Sequence, residues 1–386
     1  MLTLRPQNGP PRESSPNTTM STLYNLEAAP TWIRLIYIAS NVAYPIDGAA
    51  IATTSAVHDG FTPVNHAGQP DDGLWRRVTF NHNGDDSSPG AQSASPIYSL
   101  NVPYRKYPVW GFSDWVRIDP LPRSDGGYGF LVQTRTWSRG VFRTTSDFWQ
   151  QTPDQSINRA FAAFKSAGDG TTAPWHFAGE PDHLTACYGL QYVSANPGAT
   201  VIGIGDSIML PPGSIPYCMR ACALVSTPDR PVSYVNEGYL GRKSPDYLAA
   251  GAAGISVLHP QVAVIQTFTN NDPAAPDQAE RSFNGAMRVA EQARKQQCVP
   301  ILVTDAPETG ISDAAEAIRQ DSLKRTRAMA SKGFHVLDLD ALWGVGGALD
   351  AYKPHYAADR WHPNNAASVV AAEALVPILR QVLGGG

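Results

Sequence analysis

The chain has 386 residues and a formal net charge of −4, with 42% hydrophobic and 17% charged residues. That is the balance of a soluble globular protein with enough length for two domains. The charge offers no basic footprint, which argues against nucleic acid and anionic membrane surfaces as partners. The longest helical apolar stretch, Leu248 to Leu258, is too short to span a bilayer.

Residues 1–30 are rich in Pro, Asn, Ser and Thr and lack the basic start and apolar core of a signal peptide, so they read as a flexible leader. The cellular location stays open. Residues 31–195 read as β-rich: runs at 31–38, 74–80 and 128–134 alternate polar and apolar side chains and are punctuated by turn residues, as in an antiparallel, jelly-roll-like sandwich. One helical pattern interrupts it near 155–167, and 189–194 reads as its last strand. Seven of the nine tryptophans (Trp32, Trp75, Trp110, Trp115, Trp137, Trp149 and Trp175) lie in this part. Packing in a sandwich core and rim explains them; sugar stacking is the alternative.

Asn196-Pro197-Gly198 marks the junction with a second domain over 197–386, and its shortness implies two units that pack rather than swing. From there strands and helices alternate. Strands are expected near 200–206, 231–236, 261–268, 299–304 and 334–339, each apolar on both faces, as in a parallel sheet covered on two sides. Helical patterns fall at 215–226, 245–258, 277–297, 312–332 and 364–383, with Asp277 and Ser312 placed to cap two of them. The fold class is therefore α/β, a doubly wound, flavodoxin-like three-layer domain behind the β-rich one.

In such a sheet, ligands bind beyond the carboxyl ends of the strands. The apolar run 200–204 ends there in Gly205-Asp206-Ser207, which makes Ser207 a candidate nucleophile. Taken alone, that tripeptide is what an ordinary turn contains. Far downstream, Asp359-Arg360-Trp361-His362-Pro363-Asn364 precedes the last helix. A serine hydroxyl needs an imidazole to take its proton and a carboxylate to fix the imidazole's tautomer. His362 and Asp359 suit those roles, because three residues on one loop let the aspartate fold back to Nδ1. Asp305, Asp338 and Asp340 also follow strands and compete with Asp359, while His355 reads as a surface residue of the same loop, with lining the pocket as the alternative.

Acyl transfer further requires donors aimed at an oxyanion. Two strands end suitably, one in Asn236-Glu237-Gly238-Tyr239-Leu240-Gly241 and one in Thr269-Asn270-Asn271-Asp272. The backbone N–H of Gly241 and the side-chain amide of Asn271, chosen over Asn270, are the candidate donors beside the N–H of Ser207 itself.

These four blocks, in this order, resemble the SGNH (GDSL) hydrolase superfamily over roughly residues 197–383. The resemblance implies a serine esterase in which Ser207, His362 and Asp359 form the triad and Ser207, Gly241 and Asn271 the oxyanion hole. Two departures stand out. Thr269 replaces the family's usual glycine, and Pro211-Pro212 delays the glycine that often follows the nucleophile, giving a stiff entry loop. Some carbohydrate esterases of the family resemble this layout, with a sandwich ahead of the hydrolase domain, which implies small acyl groups such as acetyl on a carbohydrate. A lipase or thioesterase with a longer acyl pocket is the alternative within enzymes. A glycan-binding module with an inactive hydrolase half is the alternative outside them.

Cys187, Cys218, Cys222 and Cys298 form no metal-ligand spacing and read as buried thiols, with one disulfide conceivable outside the cell. The remaining histidines form no ligand set. No metal and no cofactor is expected; the partner is an acylated small molecule or polysaccharide, and the oligomeric state stays open.

Overall fold

A computed structural model of the chain describes residues 2–4, 11–13, 18–26, 28–39, 44–55, 63–80, 100–102, 109–124, 126–136, 141–143, 160–167, 181–182, 187 and 189–198, then 199–211, 214–238, 241–346 and 351–384. Two compact units divide these residues. The first runs to Gly198 and includes Thr227–Pro231; the second holds Ala199–Ser226 and everything from Val232 onward.

In the first unit the strands are β1 (Leu2–Leu4), β2 (Pro11–Glu13), β3 (Thr18–Leu26), β4 (Pro30–Ala39), β5 (Tyr44–Thr54), β6 (Trp75–Val78) and β7 (Leu100–Val102). They continue as β8 (Val109–Phe112), β9 (Val116–Arg117), β10 (Tyr128–Thr136), β11 (Val141–Arg143), β12 (Ala160–Ala167), β13 (Pro181–Asp182) and β14 (Gly189–Ser194). One antiparallel sheet has the order β1-β14-β4-β8, with β9 also on β4; another has the order β13-β12-β3-β10-β5-β6, with β7 also on β5. Side chains of both sheets meet in one core: Ile33, Leu35, Tyr37, Leu190 and Tyr192 from the first, and Tyr24, Ile46, Ile51, Phe130 and Val132 from the second.

Two expectations are corrected here. The stretch 1–30 is not leader throughout, since Thr18–Leu26 pairs with both β10 and β12 and buries Tyr24 and Leu26 completely or nearly so. Its Ser and Thr residues fit a β-strand as well as a coil, so composition alone could not separate the two. The helical pattern near 155–167 gives strand β12 over Ala160–Ala167, because ladder bonds to β3 override the helix preference of its alanines; residues 155–159 lie outside the described residues. Trp32, Trp75 and Trp115 are half-buried, the Arg34 guanidinium lies 4.8 Å from the Trp115 ring centroid, and Trp137, Trp149 and Trp175 lie outside the described residues.

The second unit contains β15 (Ala199–Gly205), α1 (Tyr217–Val225), β16 (Val232–Gly238), α2 (Ser244–Leu258), β17 (Val262–Gln266) and α3 (Gln278–Lys295). It continues with β18 (Val299–Val303), α4 (Asp313–Ala328), β19 (His335–Leu337), α5 (Leu339–Trp343) and α6 (Asn365–Val382). All five strands are parallel, in the order β16-β15-β17-β18-β19. Strand alternation divides the apolar side chains between two faces. Val201, Val262, Val264, Ile301 and Val303 share a core with α1, α5 and α6, whereas Ile204 packs against Gly251 of α2 on the other face. Helices thus cover both faces. Ser312 caps α4 by accepting the Ala315 N–H at 3.3 Å. Asp277 precedes α3 without a side-chain cap: its φ of −95° and ψ of 5° lie outside the extended backbone a cap requires. No helix among the described residues is long and apolar enough to cross a membrane.

Candidate active site

Strand β15 delivers Gly205-Asp206-Ser207 to the carboxyl edge of the parallel sheet. Gly205 is a register partner of Gly238 at the end of β16, and a Cβ on Gly205 would lie 2.5 Å from Gln266 Oε1. Only a glycine lets the nucleophile turn pass that close to β17. The Asp206 side chain then folds the turn, its Oδ1 accepting the Ile208 N–H at 2.8 Å.

Ser207, 8% exposed, places its Oγ 3.0 Å from His362 Nε2. His362 Nδ1 is 2.8 Å from Asp359 Oδ2. The three-residue spacing works because the other Asp359 oxygen, Oδ1, accepts the N–H groups of Trp361 at 2.7 Å and His362 at 2.8 Å. One carboxylate both bends the loop and holds the ring. Burial pushes the Asp359 carboxyl up, but the hydrogen bonds from the His362 ring and the two amides outweigh it, so its pKa lies below the ordinary value. Pro363 follows, and Asn364 caps α6 through the N–H groups of Ala366 and Ala367 at 2.9 and 3.1 Å.

Asn271 points back at the nucleophile turn. Its Nδ2 donates to Asp206 Oδ2 and to the Arg242 carbonyl, both at 3.2 Å. Asn270 is exposed and hydrogen-bonds Glu308 instead. The Ser207 backbone N–H meets no acceptor among the described residues. Gly241 is exposed with a φ of 66°. Gly238 is the glycine that approaches the turn: its Cβ would lie 3.0 Å from those of Met209 and Leu210, although its own N–H is given to Asn236 Oδ1 at 2.8 Å. Tyr239, Leu240 and the Pro212-Gly213 part of the entry loop lie outside the described residues.

No protein-family model matches the chain, and no curated protein matches it. Solved structures do. A GDSL-like lipase from Bacteroides thetaiotaomicron is 18% identical over 47% of this chain and 88% of its own, with a TM-score of 0.40. A variant of an acetyl xylan esterase from Geobacillus stearothermophilus is 18% identical over 48% and 95%, TM-score 0.37. A lipase/acylhydrolase from Enterococcus faecalis is 14% identical over 47% and 96%, TM-score 0.36. At these scores the chemistry has to be read from the site's own geometry.

Two of the three competing acids are engaged elsewhere. Asp338 caps α5 and pairs with Arg327 at 2.7 Å. Asp340 pairs with the buried Arg319 at 2.6 Å, which also takes Glu316 at 2.8 Å. Asp305 is buried, its Oδ2 without a hydrogen-bond partner among the described residues. Burial and the neighbouring Glu308 hold its carboxyl well above the usual range. Glu308 is likewise pushed up, to about 7, by burial, with the charges of Asp206 and Glu316 adding to it and Arg319 and Asn270 opposing. His355 is exposed, its ring centroid 4.0 Å from that of Tyr356.

The supporting roles of three residues went unread in the sequence. Gln266 Oε1 accepts the Asp206 N–H at 3.1 Å, Thr269 bonds Asp206, and Asp272 accepts the Ser244 N–H at 2.9 Å and the Ser282 hydroxyl at 2.7 Å. The last pair ties the start of α2 and α3 to the Asn271 turn. The available signal was polarity at the end of an otherwise apolar strand, which marks side chains that must find partners. A groove of about 340 Å³ between α2 and α3, lined by Ser244, Leu248, Arg281, Gly285, Arg288 and Gln292 among others, contains none of the triad residues. Cys187, Cys218, Cys222 and Cys298 are buried, and none of them is in a disulfide among the described residues.

Proposed function

We propose that the second unit is a serine esterase of the SGNH type, acting through an acyl-enzyme. One observation carries this: the unbroken chain Ser207 Oγ, His362 Nε2, His362 Nδ1, Asp359 Oδ2, with links of 3.0 and 2.8 Å. With Nδ1–H donating to the carboxylate, Nε2 is the free base that takes the serine proton as Oγ attacks the ester carbonyl. The protonated ring then gives its proton to the leaving alcohol. Water repeats the sequence on the acyl-enzyme, releasing the acid.

The oxyanion forms against the N–H of Ser207, the N–H of Gly241 and the amide of Asn271. An amide nitrogen has two protons, and both of those on Asn271 already have acceptors. The oxyanion therefore replaces the Arg242 carbonyl, since a full negative charge is the stronger acceptor and 3.2 Å is a long bond to give up. The contact to Asp206 stays and sets the direction of the remaining N–H.

The substrate we assign is a small acyl ester, acetyl above all, carried on a carbohydrate. Support for it is the layout, a β-rich unit ahead of the hydrolase unit; we read the first unit as a jelly-roll-like accessory sandwich over residues 31–195, with β3 added to it, and 197–386 as the catalytic domain. The test compares p-nitrophenyl acetate with the octanoate, then measures acetate released from acetylated glycans. Faster octanoate hydrolysis would move the assignment to a lipase or thioesterase. Inactivity towards every ester would leave a glycan-binding role. Turnover should survive EDTA, and loss of activity restored by zinc or calcium would overturn the serine-only mechanism.

A further inference from the structure

Thr269 stands where the resemblance implies a glycine, and among the described residues it is the only one whose hydroxyl joins Asp206 to the Asn271 turn. It is fully buried. Its Oγ1 donates to Asp206 Oδ2 and accepts the backbone N–H of Asn271 at 3.1 Å. Asp206 Oδ2 also accepts from Asn271 Nδ2 at 3.2 Å. Hydroxyl, carboxylate and amide thus close a ring of three hydrogen bonds in which the single hydroxyl proton has one destination. The turn is pinned from behind, where Gln278 Nε2 donates to the Thr269 carbonyl at 3.0 Å.

The ring matters because of where Asp206 sits. The carboxyl is 1% exposed, so water cannot supply a donor that the protein withholds, and an unsatisfied buried acceptor is costly. Burial raises its pKa, and the Thr269 hydroxyl is first among the hydrogen bonds that oppose the rise. Without that hydroxyl, Oδ2 is left with the long amide contact alone, and the Asn271 turn loses the acceptor of its own N–H. Both anchors of the side chain loosen together.

We propose that Thr269 is a positioning residue of the esterase site: its hydroxyl fixes Asp206 as an acceptor and, through Asp206 and the Asn271 backbone, aims the Asn271 amide at the oxyanion. This rests on the serine-esterase reading. Thr269 touches neither substrate nor reacting atoms, so its effect belongs to the charged transition state and leaves ground-state binding alone.

The test uses the full chain with Thr269→Val, which keeps the shape and removes the hydroxyl, Thr269→Ser, which restores it, and Ser207→Ala. Hydrolysis of p-nitrophenyl acetate and the rate of covalent capture of Ser207 by a p-nitrophenyl phosphonate are measured, with melting curves for folding. Thr269→Val should lower kcat by roughly 10- to 100-fold, below the loss of a whole oxyanion donor. KM should stay within about twofold and phosphonate capture should slow in step, while Thr269→Ser recovers most of both. If the valine variant does not fold, Thr269→Gly takes its place against Thr269→Ser. Wild-type kcat in the hydroxyl-free variant beside an inactive Ser207→Ala overturns the positioning role alone. A loss that serine does not rescue overturns it in favour of packing. Full activity in Ser207→Ala removes the esterase reading, and the proposal with it.

Discussion

Ser207 Oγ lies 3.0 Å from His362 Nε2, and that is the only side-chain hydrogen bond the serine makes among the described residues. Removing the hydroxyl therefore removes the nucleophile without breaking a structural contact. Ser207→Ala should melt close to wild type and lose turnover by roughly 10³ or more. Ester hydrolysis near the wild-type rate, in a sample shown free of contaminating esterase, would end the serine mechanism.

Asp359 is tied on both oxygens, and the two ties separate its roles. Asp359→Asn keeps an oxygen for the Trp361 and His362 amides but presents an N–H₂ to Nδ1, which drives the imidazole into the tautomer whose Nε2 carries a proton. We expect kcat to fall by roughly 10²–10⁴ with little change in melting temperature. Asp359→Ala also unties the loop and should lower the melting temperature as well. Equal melting losses in the two variants would show that the loop does not depend on Oδ1.

The local rules of the triad loop were legible because they act over three residues: an aspartate that closes an Asx turn, a histidine within its reach and an asparagine cap all sit in one hexapeptide. The alternation of apolar runs likewise marked the five parallel strands, of which β15, β16 and β17 are buried along their whole length on both faces. What escaped reading depends on partners distant in sequence. Ala160–Ala167 has the composition of a helix and becomes a strand only beside Thr18–Leu26. Thr269 looked like a departure from a pattern, and its partner Asp206 lies in the turn after β15, distant in sequence. Arg319, a solvent-facing residue by type, is buried because Glu316, one turn earlier, and the distant Asp340 neutralise it. The short helix Leu339–Trp343 was absent from the expectation because a single turn carries too little periodicity to register.

Asn270 and Asn271 are neighbours whose amides go to different carboxyl groups, Glu308 for the first and Asp206 for the second. Only the second is adjacent to the nucleophile. Asn271→Ala should cut kcat by roughly 10²–10³ at nearly constant KM. Asn270→Ala should cost less than about tenfold in kcat, since it leaves both the triad and the Asp206 contact in place. Steady-state kinetics of the two single variants decide the matter, and a large kcat loss confined to Asn270→Ala would transfer the oxyanion role to that residue.

Glu308 provides a test of the electrostatics behind the site. It is 6% exposed and faces Asp305, Asp206, Glu316, Arg319 and Asn270; burial comes first among the causes that raise its carboxyl to about 7. A carboxyl whose value is higher in the fold than in the unfolded chain binds more protons when folded. Its contribution to stability is then complete below the ordinary carboxyl range and is lost as pH rises through about 7. Glu308→Gln keeps an amide oxygen for Asn270 and carries no charge at any pH. Near pH 4.5, where the native Glu308 is still protonated, the two proteins should melt within a degree or two of each other. As pH rises from about 4.5 to about 7 the unfolded chain gives up this proton while the folded protein still holds it, so the wild type loses stability that the variant does not, and the variant's melting advantage should open over that range and level off above about 7. Melting curves across pH 4.5 to 8.5 measure this difference directly, and a gap that stays constant over the whole range would show that Glu308 is already ionised in the folded protein.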